Sequence, residues 1–196
     1  MRVMIFDTET GGLDFNKHSL LTIGWVIGDV ETGEIFKTVE FHNKLGSVSD
    51  YNITEGAYKV HGISAEECMS KGVPTEEIAD AMISDFVEFG CQHVGGHNVH
   101  FDIAFSSKHI FGFETESQEF NANFTYRHMD SLPVVQLFGG LSNVGAGKTL
   151  TQVVKMLKID MSDHSGSKFH AALYDSICCF RALVKIRDLF RQVKID

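Results

Sequence analysis

Three extended segments follow one another at the head of this chain, and they constrain its fold more than anything after them. Residues 2–6 form a short apolar run ending in acid, residues 20–30 are rich in β-branched side chains, and residues 35–41 alternate in polarity. The joints are a Gly11-Gly12 turn and Glu31-Thr32-Gly33-Glu34. Apolar runs of this length bounded by turn residues read as strands, and short joints make neighbouring strands antiparallel. The pattern then changes. Pro74, Thr75, Glu76 and Glu77 suit a first helical turn, and Ile78, Met82, Phe86 and Phe89 recur at helical spacing as a core-facing stripe. A strand is predicted over 93–96, a helix over 101–111, a strand over 125–129, and helices over 148–157 and 170–192. Strands first, then alternating helices and strands, predict an α/β fold on a mixed sheet. No internal repeat or linker divides residues 1–196, so one domain is expected.

Charge and cysteine usage narrow the function. The net charge of −9 disfavours a protein that coats long duplexes, which needs a basic face. It leaves room for gripping a strand end, where cations and backbone amides meet phosphates, or for substrate delivered by another subunit. Cys68, Cys91, Cys178 and Cys179 contain no C-x-x-C pair, which argues against a cysteine zinc site and suits a reducing compartment. The opening residues show no signal-peptide pattern and no apolar run is long enough to span a bilayer. A cytoplasmic protein without membrane contact is expected. Residues 114–125 and 161–168 read as irregular loops.

Three short motifs carry the chemistry. Asp7 and Glu9 are two residues apart at the end of the first strand, so their side chains share one face. Carboxylates that close repel unless a cation lies between them, and an oxygen-only donor set selects hard ions such as Mg²⁺ or Mn²⁺. The second motif is His97-Asn98-Val99-His100-Phe101-Asp102, a polar cluster where a strand turns into a helix. Asn98 or Asp102 could simply cap that helix, and His97 with His100 is the weaker candidate for a metal pair. The third is His170-Ala171-Ala172-Leu173-Tyr174-Asp175. On one ideal helix His170 and Asp175 would point some 140° apart. They converge if His170 precedes the first helical turn.

Taken in order, D-x-E, H-N-x-x-F-D and H-x-A-x-x-D resemble the three motifs of the DEDDh 3′→5′ exonucleases. Val60-His61-Gly62-Ile63 resembles the V-H-G-I segment common in that family. The subclass with Tyr four residues before the last Asp is disfavoured, because that position is Ala171. The resemblance implies a ribonuclease H-like fold: a five-stranded mixed sheet flanked by helices on both faces. It implies two ions, Mg²⁺ or Mn²⁺, held by Asp7, Glu9, Asp102 and Asp175. Asp7 would bridge them, Glu9 and Asp175 would serve the ion nearest the attacking water, and Asp102 the other. His170 would be the general base. Thr10 and Leu13 would contact the terminal nucleotide, helped by His61, Asn98 and Phe101. One departure is Gly11, where many members have Thr. The substrate implied is the 3′ end of single-stranded nucleic acid, DNA ahead of RNA, and members either dimerise or join a polymerase.

Imidazole, with an ordinary pKa of about 6.5, suits proton abstraction near neutrality. The competing readings are a catalytically silent nucleic-acid-binding or polymerase-associated subunit, and a metal-dependent phosphatase. A silent subunit has no reason to keep four mutually repelling acids. Gly145-Ala146-Gly147-Lys148-Thr149 looks like the end of a P-loop, but Ser142 stands where that motif needs Gly.

Overall fold

The computed structural model describes residues 1–112, 120, 123–125, 127–141, 149–164 and 170–192, without the side chains of 138–141. The P-loop-like stretch up to Lys148, most of 114–125 and residues 165–168 lie outside these residues. The first three strands form an antiparallel meander: β1 Arg2–Thr10, β2 Leu20–Asp29 and β3 Glu34–Lys44. Helices α1 Glu55–His61 and α2 Ala65–Lys71 follow, then β4 Val73–Pro74, α3 Thr75–Glu88, β5 His93–Gly96 and α4 Val99–His109. Next come β6 Met129–Asp130, α5 Ser131–Leu141, α6 Leu150–Leu157 and α7 Ala172–Gln192. The mixed sheet has the order β4-β3-β2-β1-β5-β6, with β5 parallel to β1. It has six strands rather than five because β4, two residues long, pairs with the end of β3 at Asn43 and Lys44.

Strand alternation divides the core. Met4 and Phe6 of β1 face one way, with Trp25 and Ile27 of β2, and meet Ile78, Met82 and Phe86 of α3 and Ile103 and Phe105 of α4. Val3 and Ile5 face the other way and meet Ile177, Phe180 and Leu183 of α7. The α3 stripe is core packing, as its spacing predicts. Burying apolar side chains on both faces is what a sheet covered by two helical layers requires.

Several boundaries differ from expectation. β1 does not stop at Phe6. It pairs with β2 as far as Thr10, with a register shift between Glu9 and Thr10, so the acidic pair lies inside the sheet beside a bulge. β6 is confined to Met129–Asp130 instead of spanning 125–129. Helix α4 starts two residues early, at Val99, and α7 starts at Ala172. All four cysteines are buried free thiols. No helix of the described residues is long and apolar enough to cross a membrane.

The seat of α7 on the sheet depends on Gly24. A Cβ there would lie 2.3 Å from the backbone nitrogen of Leu173 and 2.6 Å from its Cα. Ser176 Oγ donates to the Gly24 carbonyl at 2.8 Å, which fixes the same crossing. Gly24 is also the cross-strand partner of Asp7. Gly24→Ala should therefore cost about 1–3 kcal/mol by overpacking. It should also lift Asp175 away from Asp7, so activity should fall at temperatures where the variant is still fully folded. Thermal denaturation and rate measured on the same sample check this.

Candidate active site

Asp7 and Glu9 project from β1 on the face that α7 covers, opposite Gly24 and Thr22 of β2. Asp175 sits in the first turn of α7, is buried, and stands over the same face. Asp102 comes from the other layer, in the first turn of α4. Thr8, which points to that layer, binds it twice: the Thr8 amide and hydroxyl both donate to Asp102 Oδ1, at 2.9 and 2.7 Å. Thr8 is a positioning residue that the motif did not single out, although it is the middle residue of D-x-E.

His170 lies two residues before α7, exposed and in the left-handed region with φ 66°. That conformation is uncommon outside Gly and Asn and collects at functional positions. Its backbone N–H donates to Asp175 Oδ2 at 3.1 Å. His170 therefore precedes the helix, as convergence with Asp175 requires. Ligand atoms of Glu9, His170 and Asp175 all lie within 4.8 Å of one another.

The electrostatics mark the carboxylates as a cation site. Burial raises Glu9 from its ordinary 4.5 to about 8, with further pushes from Asp175, Asp102 and Glu40. Burial takes Asp102 to about 7 and Asp175 to about 6, opposed by the Thr8 bonds in the first and the His170 amide in the second. Asp7 keeps part of its surface open to the cleft, yet burial and then Asp102, Asp175 and Glu9 hold it well above the carboxylate range. A buried carboxylate oxygen normally has a donor. Asp175 Oδ1 has no hydrogen-bond partner. Four acids that destabilise one another's charge, one with an unmet acceptor, fit a divalent cation.

The remaining predicted residues flank this cluster. Thr10 is buried, and its hydroxyl donates to the Gly12 carbonyl at 2.8 Å. His61 is buried too. Its Nδ1 accepts from the Ile63 amide at 2.9 Å, so the proton is on Nε2, which donates to the Thr10 carbonyl at 3.2 Å. Its ring braces the Thr10 backbone. Leu13 is 86% exposed, on the rim of an apolar groove of about 480 Å³ walled by Gly12, Thr54, Ala57 and Val60. Val60 is half exposed. Neither Ala57 nor Thr54 was singled out by sequence, and α1, which carries the wall, is too short for a clear helical period. On the opposite side, Asn98 stands at the N-cap position of α4 with φ 65° and without a side-chain cap bond, its backbone N–H donating to Asp130 Oδ1 at 2.9 Å, and half-buried Phe101 packs on Phe105 with ring centroids 4.8 Å apart. A second cleft, of about 220 Å³, continues from His170 along Thr22, Glu40 and His42.

Solved structures, exonucleases among them, share this architecture. Escherichia coli exonuclease I, solved with a dT13 oligonucleotide, superposes with TM-score 0.75 at 19% identity, over 97% of this chain and 42% of its own. Exonuclease X, in complex with 5′ overhanging duplex DNA, gives 0.62 at 20% identity, over 97% of this chain and 94% of its own. Schizosaccharomyces pombe Pop2p, in an Mg²⁺- and Mn²⁺-bound form, gives 0.74 at 16% identity, over 99% and 86%. The chain thus spans about two fifths of exonuclease I, and at these identities the likeness is one of fold. The family model described as exonuclease, of the RNase T type, matches residues 4–183, and with the ribonuclease H-like sheet already in view this chain belongs to that exonuclease family.

Proposed function

We propose that the protein is a 3′→5′ exonuclease. It would hydrolyse phosphodiester bonds from the 3′ end of single-stranded nucleic acid, DNA ahead of RNA, and release nucleoside 5′-monophosphates. What supports this is the convergence of Glu9, His170 and Asp175, with Asp7 and Asp102 near enough to raise the neighbouring carboxyls, next to an apolar groove rimmed by Leu13. Asp7, Glu9, Asp102 and Asp175 would hold two Mg²⁺ or Mn²⁺ ions. When bound, such ions stabilise the attacking and leaving oxygens of a phosphoryl transfer.

The protein's own groups do the rest. His170 takes the proton of the attacking water and, being exposed, returns it to solvent. Its left-handed backbone and its amide bond to Asp175 aim the ring at Glu9. Thr8 holds Asp102 in place. Leu13 and Val60 give the terminal base an apolar seat, and the Thr10 backbone, braced by His61, faces its sugar. Asn98 and Phe101 flank the preceding nucleotide. An apolar seat for a base suits nucleic acid better than a small phosphate ester. The net charge of −9 suits a strand end over internal duplex, and leaves delivery to a polymerase partner or a second copy of the chain.

Oligonucleotides labelled at the 5′ end test this. With Mg²⁺ or Mn²⁺ they should shorten one nucleotide at a time, and excess EDTA should stop the reaction. A 3′-phosphate should slow it strongly. Efficient cutting of a closed circular single strand, or full activity in EDTA, would end the proposal. Matched DNA and RNA strands in the same assay rank the two substrates.

A further inference from the structure

Resting on that reading of the site, we propose that Glu9, His170 and Asp175 also form a three-ligand Zn²⁺ site, in which the imidazole of the base becomes a metal ligand. Zn²⁺ would then inhibit the enzyme that Mg²⁺ or Mn²⁺ activates.

The geometry favours this ion. Zinc takes nitrogen and carboxylate oxygen at about 2.0–2.2 Å in a tetrahedron, which puts neighbouring ligand atoms about 3.3–3.5 Å apart. The Glu9, His170 and Asp175 ligand atoms are within 4.8 Å of one another. Any remaining closure, at most about 1.5 Å, is open to an exposed imidazole on a backbone already held against Asp175. Asp175 Oδ1 is the second pointer: it is buried and lacks a hydrogen-bond partner, and it belongs to a side chain that is 92% covered, with relative exposure of 8%. Among the described residues this is the one group of three such side chains that converges. Asp102 is committed to Thr8 and is not needed for it.

The donor chemistry separates the two classes of ion. Mg²⁺ prefers oxygen, wants near-octahedral geometry and gives up water reluctantly, so it gains little from an imidazole. Zinc binds imidazole well and lies above Mn²⁺ in the order of affinities for mixed nitrogen and oxygen sites. Once its lone pair is given to zinc, His170 cannot accept a proton.

The test is metal binding on the full chain after stripping with a chelator. Bound Mn²⁺ is followed by electron paramagnetic resonance, Zn²⁺ by competition with a chromophoric indicator, and Co²⁺ by its visible spectrum as a report of four-coordination. Wild type should bind Zn²⁺ far more tightly than Mn²⁺ and show the intense band of four-coordinate Co²⁺. His170→Ala and His170→Gln should lose that band and weaken Zn²⁺ by more than the roughly 10–100-fold typical of an outer-shell loss. Both should keep Mn²⁺ affinity near the wild-type value. Unchanged Zn²⁺ affinity in both variants would overturn the proposal, as would equal loss of Zn²⁺ and Mn²⁺. Absence of Mn²⁺ binding in wild type would instead sink the functional reading on which it rests.

Discussion

Replacing His170 by Ala should lower turnover by about 10²–10⁴-fold, the usual value of a lost general base. The fold should survive, because the side chain is exposed. The contact that ties this segment to Asp175 comes from the backbone N–H and not from the ring. Stabilisation by Mn²⁺, read as a rise in Tm, should also survive, since the four carboxylates are untouched. The left-handed backbone at position 170 suits Ala somewhat less than His, so a small fall in Tm carries no weight. Near wild-type turnover at saturating metal would make His170 a structural residue and oblige another group to take the proton.

Asp7→Asn should do the opposite to stability and worse to activity. Without metal, the carboxylates oppose folding at neutral pH. Glu9 is raised from 4.5 to about 8, so the folded chain keeps a proton that the unfolded chain has lost across that interval. A raised carboxyl therefore stabilises most below its unfolded value, and that stability disappears as pH rises toward 8. For a shift of this size the effect is on the order of a few kcal/mol. Metal-free wild type should lose Tm from pH 5 to pH 8. Asp7 is itself held well above the carboxylate range by burial and then by Asp102, Asp175 and Glu9, so the folded chain must keep a proton there that the unfolded chain has lost. Asp7→Asn removes that requirement, and should melt higher than wild type at pH 8 without metal and show a shallower pH dependence. It should also lose most of the Mn²⁺-induced rise in Tm and more turnover than His170→Ala. Melting curves with EDTA and with Mn²⁺ at the two pH values decide it. A metal-free variant less stable than wild type at pH 8 would mean that Asp7 is a structural residue.

The chemistry of the site was more legible in the sequence than its walls were. Asp7, Glu9, Asp102, Asp175 and His170 each sit in a short motif whose spacing survives folding. Strand alternation alone puts Asp7 and Glu9 on one face. The meander was legible for the same reason, as β1, β2 and β3 bury long β-branched and apolar runs. The helices α1 and α2 were missed because seven residues hold too few turns to show a period. Their caps were the available signal: Thr54 and Ser64 hydroxyls accept from the amides of Ala57 and Glu67, three residues on. Helix α5 was missed too, its eleven residues carrying Pro133 and the pair Gly139-Gly140, which are poor helix formers. The extension of β1 to Thr10 was hidden by polarity. Thr8, Glu9 and Thr10 are polar but buried, a combination that pattern reading assigns to a loop. Position also hid the role of Thr8, because its importance lies in reaching Asp102, 94 residues away.

The carboxylates proposed to bind metal reach this centre from both helical layers and from the strand between them, and they arrive in chain order: Asp7 and Glu9 first, Asp102 midway, Asp175 last with α7. A chain being translated accordingly displays three acids before the fourth exists, and the base follows only five positions ahead of that fourth. On the proposed function, the site stays incomplete until α7 has emerged and docked on Gly24. On that reading a fragment ending before Ala172 lacks Asp175 and should not cut.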